Sequence, residues 1–501
     1  MRETLNPARW QAALEDGLSR GLPGFLPTQR WFGAKARRIE SARAEDIAWL
    51  PGSAEACALV VAQVEYTSGP PERYALLVSL CAEAPPEPAI GDATVDGRTL
   101  HLVEASSSPH VATALLRRFD CAQDIAGSHG GRLRVGDLPA DGEAVPGLAG
   151  LDETQVRSLG AEQSNTTLRV GPGRMFKLLR RLEPGENPEL EIGRFLVERT
   201  RFRAAPELRG SLTWFPADGE PCTLGVLQDH VANLGDGWQW ALTGLEQHFS
   251  AAAAPEPMVN AVLSLGVVTA EFHAAISSCA DAVGFAPVSV TPEHAAAWQR
   301  EFRTRVDHAG RMIEETHERL EPTTHALCES LLQRRAQLLA VADFDPADAA
   351  GTFELIRLHG DYHLGQTLKI QDGFVLIDFE GEPARPLPER RELGCALRDV
   401  AGMLRSFDYA IETARRRAPA AEVWTGPAPP LRESFLEAYV QHALDLGSRF
   451  LPVDPGVRAR WIRFFEIGKA LYELEYEIQN RPAWLPIPAR GLLHLLDGVA
   501  L

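Results

Sequence analysis

The most informative stretch of this chain is His359-Gly-Asp-Tyr-His-Leu-Gly-Gln366, followed by Ile377-Asp-Phe-Glu380. Residues 367–370 and 374–378, which join these segments, are β-rich runs separated by Gln371-Asp-Gly373. Two such runs around a short turn predict a hairpin. The hairpin returns the chain to its starting point, so the two polar segments are expected to meet.

These polar residues have the composition of a phosphoryl-transfer centre. Such a centre needs a carboxylate that takes the acceptor's proton, together with an amide oxygen and a second carboxylate that hold Mg²⁺. Asp361, Gln366 and Asp378 supply these groups, with Gln366 expected roughly opposite Asp378 at the open end of the hairpin. Glu380 can point the same way. The alternative is that His-Gly-Asp is an ordinary loop turn and Asp378 caps a strand.

A lysine that binds phosphates should lie upstream, on a strand. The chain has four lysines and 46 arginines, and Lys177 lies in the apolar run 175–179. A helix is predicted from Pro188 onward, and Glu191, with Glu189 as second choice, is the expected partner of the lysine. The alternatives are a solvent-facing lysine and first-turn acids that favour the helix dipole.

The small polar segment 159–167 precedes that strand. Its backbone N–H groups and the hydroxyls of Ser164, Thr166 and Thr167 could fold over phosphates. The segment matches neither common glycine-rich phosphate motif, so a simple turn is the alternative.

Near the C-terminus, Tyr472, Tyr476 and Asn480 recur every four residues and are predicted to share one helix face. Arg481 and Trp484 follow where a proline ends the helix. Aromatic rings with amide and guanidinium donors suit a sugar. The alternative is that the tyrosines are packing residues.

Taken together, several segments resemble the maltokinases, relatives of the aminoglycoside phosphotransferases. The resemblance covers most of the chain and is carried by residues 29–35, 182–191, 227–238, 359–366, 378–383, 397–409 and 472–488. It implies an α+β, bilobal, eukaryotic-protein-kinase-like fold with an N-terminal cap subdomain and a mainly helical C-terminal lobe. Composition shifts predict an N-terminal helix at about 7–20, apolar strands at 58–66 and 74–80, a proline-rich break at 85–88 and a loop-like stretch at 126–150. The resulting boundaries are a cap at 1–90, an intermediate subdomain and nucleotide-binding lobe at 91–228, and a C-lobe at 229–501.

The resemblance also implies roles for individual residues. Asp361 would be the catalytic base, Gln366 and Asp378 the Mg²⁺ ligands, and Lys177 with Glu191 the phosphate-binding pair. Segment 227–238 is similar to the hinge, which places Gln228 and Val231 at the nucleotide. The sugar would contact the C-terminal residues together with His363 and Glu382.

The family reaction is transfer of phosphate from ATP to the anomeric hydroxyl of maltose, which gives maltose 1-phosphate for α-glucan and glycogen synthesis. A functional link to trehalose synthase is implied as well. One alternative is a kinase for glucosamine, another small sugar or an aminoglycoside, because Glu380, Glu382, Glu473 and Glu477 could face a polycation. An inactive kinase fold that binds a glucan or a partner enzyme is the alternative from another class.

Composition indicates a cytoplasmic enzyme. The net charge is −18, which argues against nucleic acid or an anionic membrane as a partner. Seven scattered cysteines indicate free thiols in a reducing compartment. No N-terminal signal pattern is visible and no continuous apolar run approaches ~18–20 residues, so we expect neither secretion nor membrane insertion.

Overall fold

The computed structural model describes residues 7–51, 56–83, 89–120, 124–137, 148, 150–161, 164–251, 254–316, 319–417 and 428–498. The chain divides into two compact units. One comprises Met1–Glu198 with Pro206–Val231, and the other comprises Arg199–Ala205 with Ala232–Leu501. The boundaries at 90 and 228 remain predictions. The proline-rich break predicted at 85–88 and residues 138–147 of a loop predicted over 126–150 lie outside the described residues.

The first unit is built mainly of strands. Its helices are α1 (Pro7–Phe25), α2 (Pro109–Leu116) and α3 (Pro188–Arg199). Its strands are β1 (Ile39–Trp49), β2 (Cys57–Tyr66), β3 (Glu72–Cys81), β4 (Gly91–Val95), β5 (Arg98–Glu104), β6 (Ile125–Ala126), β7 (Arg132–Asp137), β8 (Val156–Ala161), β9 (Asn165–Val170), β10 (Arg174–Leu179), β11 (Arg181–Leu182), β12 (Leu208–Phe215) and β13 (Cys222–Asp229).

These strands form two antiparallel sheets. The first has the order β1-β2-β3-β5-β4 with β11 paired to β3, and the second has the order β6-β7-β12-β13-β10-β9-β8. Strand β2 is apolar on both faces because its side chains alternate between two cores. Val60 packs with Leu14 and Leu18 of α1, whereas Leu59 and Val61 pack in the core that includes α2.

The second unit is mainly helical. Its helices are α4 (Gly237–Ala251), α5 (Glu256–Ile276), α6 (Pro292–Thr316), α7 (Pro322–Gln333), α8 (Arg335–Val341), α9 (Leu387–Arg390), α10 (Leu397–Arg417), α11 (Leu431–Asp445), α12 (Pro455–Asn480) and α13 (Pro486–Asp497). Its strands are β14 (Val288–Ser289), β15 (Glu354–Leu355), β16 (Thr367–Ile370) and β17 (Gly373–Leu376), and each pairs with one other.

Helix α5 is long and apolar enough, by length and composition, to cross a membrane. Half of its most apolar window is buried within the protein. Its polar groups also have protein partners: the Thr269 hydroxyl lies 2.7 Å from the Tyr362 hydroxyl, and His273 Nδ1 lies 2.8 Å from the Tyr439 hydroxyl. These contacts are those of an interior helix.

Several local predictions are confirmed, and one is wrong. The helix predicted near residues 7–20 is α1, and the predicted hairpin is β16–β17. Strand β7, however, lies inside the stretch predicted as a loop. It was missed because Arg132 and Arg134 face outward while only Leu133 is fully buried, so its hydrophobic signal is short.

Candidate active site

The hairpin β16–β17 brings two predicted metal ligands together. The backbone N–H of Ile377 donates to Gln366 O at 3.0 Å, which sets Asp378 next to Gln366. The register pairs Thr367 with Leu376, so Gln366 faces Ile377, one residue earlier than expected. The turn is one residue tighter than predicted because Gly373 starts the second strand.

Asp378 has an unusual backbone. Its φ is +67°, and among the described residues only Asp96 shares a positive φ without being glycine. Aspartate tolerates this left-handed conformation better than most residues. The chain therefore turns sharply at the predicted ligand, immediately after the hairpin.

The loop that carries Asp361 is held from behind by α10. Asp399 is buried, and its carboxylate accepts the N–H of His359 at 2.8 Å and of Gly360 at 3.0 Å. His273 Nε2 lies 3.2 Å from the same carboxylate. Burial alone would raise the pKa of Asp399, but these hydrogen bonds and the neighbouring histidines lower it. The loop is therefore anchored through its backbone, which leaves the Asp361 side chain outside this network.

Asp361 lies between two basic side chains. Lys469 Nζ, from α12, is 3.6 Å from Asp361 Oδ1, and His363 Nε2 is 3.9 Å from Oδ2. Nδ1 of His363 accepts the N–H of Gly365, so this histidine also caps the short turn before β16. Desolvation lowers the pKa of His363. Lys469 is not among the site residues predicted from the sequence, where its one signal is the rarity of lysine in the chain.

A cavity of about 570 Å³ opens beside Asp361. Its wall combines the loops after β15 and β17 with α6 and α12. Aromatic and charged side chains dominate this wall, among them Trp298, Glu301, Glu382, Arg385, Lys469 and Tyr472. The volume falls in the range of small-molecule sites.

The carboxylates of this wall have cationic partners. Glu301 accepts from Arg385 at 2.9 Å and from Arg398 at 3.2 Å, and Glu382 accepts from Arg385 at 3.0 Å. Burial would raise the pKa of Glu301 and Glu382, but the adjacent cations lower both. The wall is thus polar but largely charge-balanced.

Of the predicted sugar contacts, Glu382 and Tyr472 line this cavity. Tyr476, Asn480, Arg481 and Trp484 do not. Each four-residue step turns the helix face by about 40°, so later residues rotate away from Tyr472.

The four residues outside the cavity wall form a cluster of their own. The Arg481 guanidinium lies over the rings of Tyr476 and Trp484 and also binds the buried Glu477 at 2.7 Å. Asn480 Nδ2 donates to Tyr476 O at 2.9 Å. Their predicted role in sugar binding has no support from the cavity.

In the first unit, Lys177 lies in β10, between Thr167 of β9 and Val226 of β13. Glu189 and Glu191 are both buried in the first turn of α3. Gln228 Nε2 donates to Glu189 Oε1 at 2.8 Å, which engages one oxygen of Glu189. Which of the two glutamates pairs with Lys177 stays a prediction, with Glu191 as the first choice.

The predicted phosphate loop is described only in part, because residues 162–163 lie outside the described residues. Ser164 is exposed and precedes β9. Thr166 is buried instead, and its hydroxyl accepts from Arg180 Nε at 2.9 Å. The structure gives Thr166 this internal partner, and its contact with phosphate stays a prediction. Val231 is the last residue of the first unit.

The donor set next to the hairpin suits a hard divalent cation. Gln366 offers an amide oxygen and Asp378 a carboxylate, with Glu380 nearby in sequence. Within the described ranges, no group of three His, Cys, Asp or Glu side chains could by itself hold a metal ion. Binding of Mg²⁺ by Gln366 and Asp378 therefore stays a prediction.

Comparisons with known proteins agree with this architecture. Residues 25–107 match the maltokinase N-terminal cap domain. The glucosamine kinase of Mycolicibacterium smegmatis is 28% identical over 342 residues, which cover 68% of this chain and 79% of that protein. The glucosamine kinase of Streptacidiphilus jiangxiensis is 28% identical over 366 residues, which cover 71% of this chain and 76% of that protein.

A solved glucosamine kinase in complex with glucosamine, ADP and inorganic phosphate has the same fold. Its TM-score is 0.64 at 21% identity, and the match covers 91% of this chain and 94% of that one. A second crystal form of a glucosamine kinase gives a TM-score of 0.67 at 20% identity, with 96% and 99% coverage. The kinase-like fold, with its N-terminal cap and mainly helical C-terminal portion, is thereby established. The chain is thus similar to the maltokinases in its N-terminal cap and to glucosamine kinases over most of its length.

Proposed function

We propose that this protein is a sugar kinase that transfers the γ-phosphoryl group of ATP to the anomeric hydroxyl of maltose, giving maltose 1-phosphate and ADP. The observation that carries the proposal is the cavity beside Asp361, whose aromatic and charge-balanced wall suits a neutral sugar. Its volume of about 570 Å³ leaves room for a disaccharide.

In the proposed reaction, Asp361 accepts the proton of the attacking hydroxyl. Gln366 and Asp378, with Glu380 nearby, would hold Mg²⁺, which when bound neutralises charge on the phosphates. The anchoring of the loop by Asp399 supports this role, since a base must be fixed within hydrogen-bond reach of its proton.

The first unit is proposed to bind ATP. Lys177 and Glu191 would hold the phosphates, Ser164 would contribute to the loop over them, and Gln228 with Val231 would form the hinge at the adenine. These roles rest on strand position and on the resemblance to kinases.

Glucosamine is the second candidate acceptor, because two relatives of this chain are glucosamine kinases. An amino sugar carries an ammonium group, which requires an available carboxylate. The pairing of Glu301 and Glu382 with arginines favours a neutral acceptor over this candidate and over an aminoglycoside. An inactive binding protein is disfavoured because Lys177, Asp361, Gln366 and Asp378 are all present.

We further propose a cytoplasmic location and a place upstream of α-glucan synthesis, with trehalose synthase as a functional partner. A sugar 1-phosphate is an activated glycosyl donor, because phosphate is a good leaving group at the anomeric carbon. A glycosyl-transfer reaction would therefore consume the product.

The test is ADP release by the purified protein with Mg²⁺ and ATP, with maltose, glucose, glucosamine or kanamycin as the acceptor. We expect release with maltose, its loss in Asp361→Asn, and a phosphate on the anomeric carbon by ³¹P NMR. Release with glucosamine alone would establish the second candidate. If no acceptor gives ADP release, an inactive binding protein becomes the favoured function.

A further inference from the structure

Lys469 places an ammonium group in the cavity wall beside Asp361. The distance from Nζ to Asp361 Oδ1 is 3.6 Å, and the two side chains are 28% and 23% exposed. Nζ also lies 4.8 Å from the centre of the Tyr472 ring. The ammonium therefore faces the same space as the carboxylate that is proposed to accept the proton.

The surroundings keep Lys469 charged. Burial would lower its pKa, but the carboxylates of Asp361, Glu382 and Glu473 outweigh burial and raise it. Glu473 stands one helical turn after Lys469 and binds Arg405 on its other side at 2.9 Å. A chain of alternating charges thus runs from the cavity into the interior of the second unit.

We propose that Lys469 is the internal counter-ion of Asp361 and that it selects acceptors that are uncharged next to the reacting hydroxyl. This rests on the proposed function and names the acceptor class. A hydroxyl or a ring oxygen can accept a hydrogen bond from the ammonium, whereas a substrate ammonium cannot accept one. Two like charges at contact distance in a partly desolvated site repel each other strongly.

The same geometry predicts what the site becomes without this ammonium. Asp361 and Glu382 would then face the cavity with one cation fewer, and a ligand ammonium could replace Lys469. Discrimination against amines would therefore be a property of one side chain, which is a form of specificity by repulsion.

The experiment compares Lys469→Met with the wild-type protein on glucose and glucosamine, which differ only in the substituent at C2. We expect the ratio of kcat/KM for glucosamine to that for glucose to rise by about tenfold or more. Lys469→Arg keeps the charge and should keep the wild-type ratio. Lys35→Met, at an exposed position of the first unit, is the matched control.

Calorimetric binding of the two sugars without nucleotide gives a readout that does not depend on turnover. A shift toward glucosamine in Lys469→Met, absent in Lys469→Arg, supports the inference. An unchanged ratio in both readouts, or a wild-type protein that prefers glucosamine, overturns it. If Lys469→Met fails to fold, Lys469→Gln takes its place.

Calorimetry also separates the two proposals. Absence of turnover with any sugar defeats the proposed function, but the calorimetric ratio still decides the role of Lys469. Conversely, normal turnover of maltose with an unchanged ratio defeats only the inference.

Discussion

The carboxylate of Asp399 accepts a 2.8 Å hydrogen bond from the backbone N–H of His359. It takes the N–H of Gly360 as well, so one buried charge on α10 fixes the loop that presents Asp361. Hydrogen bonds to an ionised acceptor are stronger than those between neutral groups. The stability of the second unit and the position of the proposed base therefore depend on the same side chain.

Asp399→Asn should weaken this anchor. We expect the free energy of unfolding to fall by about 2–3 kcal/mol, because the amide carries no charge and presents an N–H group where an acceptor is needed. Urea unfolding measures the change, and kcat should fall as well. Asp445→Asn, at an exposed position of α11, is the control and should stay within about 0.5 kcal/mol of wild type. Equal stabilities of the two variants would contradict the anchor.

His363 should make stability fall on mild acidification. Desolvation puts its pKa in the folded protein below the ordinary value of 6.5. As pH drops below 6.5, the unfolded chain takes up a proton before the folded one does, so unfolding becomes easier. His363→Asn keeps a capping acceptor for Gly365 and should flatten the urea midpoint between about pH 7 and pH 5. A wild-type curve as flat as that of the variant would rule out this assignment.

Asp378→Asn should raise the Mg²⁺ concentration needed for activity and lower kcat by roughly 100-fold, because a charged ligand becomes a neutral one. The measurement is sugar phosphorylation over a Mg²⁺ titration. Asp372→Asn, at the exposed tip of the same hairpin, is the control: it tests whether the loss of any carboxylate in the hairpin changes the Mg²⁺ dependence. If both variants show wild-type dependence on Mg²⁺, Asp378 is not a ligand.

Arg405→Met should destabilise the second unit. Arg405 is 1% exposed, and it contacts the buried Asp408 at 2.6 Å and the largely buried Glu473 at 2.9 Å. Its removal takes one cation from each carboxylate, and Asp408 retains Arg432 at 2.8 Å. We expect a loss of about 3–5 kcal/mol in urea unfolding. The comparison is Arg334→Met, which breaks the surface pair with Asp497 and should cost under about 1 kcal/mol. Similar losses would mean that the buried charges find other partners.

Tyr472→Ala and Tyr476→Ala separate two locations for the sugar, since the residues lie one turn apart on α12. Tyr472 lines the cavity, so its loss should raise KM for the sugar by about tenfold while KM for ATP stays unchanged. Steady-state kinetics in which sugar and ATP are varied separately measure the two KM values. A larger effect from Tyr476 would place the sugar at the helix exit, as the sequence alone predicted.

The parts of the site that were predictable are local in sequence. Gln366 and Asp378 meet because a short hairpin joins them, and hairpins are visible from turn residues and β-rich runs. Lys469 and Trp298 come from helices far along the chain, and no local pattern indicates that they line one cavity with Asp361. Arg180 donates to the Thr166 hydroxyl, and no local pattern in the sequence indicates this contact either.

The four-residue periodicity in α12 did not indicate which of its residues line the cavity. A four-residue repeat is close to one turn but not equal to it, so Tyr472 and Asn480 diverge although the pattern groups them. Strands β2 and β3 were predictable as short, nearly continuous apolar runs, because both of their faces are buried. The observed register of the hairpin differs by one residue from the predicted one, because Gly373 belongs to strand β17 and not to the turn.

The left-handed backbone of Asp378 restricts what evolution or an engineer can place there. A β-branched or bulky residue would strain the turn, and only asparagine, glycine or aspartate itself adopt this φ readily. An alanine variant would therefore alter the course of the main chain as well as remove a carboxylate, and its phenotype would mix two causes. Few residue types are compatible with this backbone, so substitutions are less restricted in the cavity wall than at the proposed metal ligand Asp378.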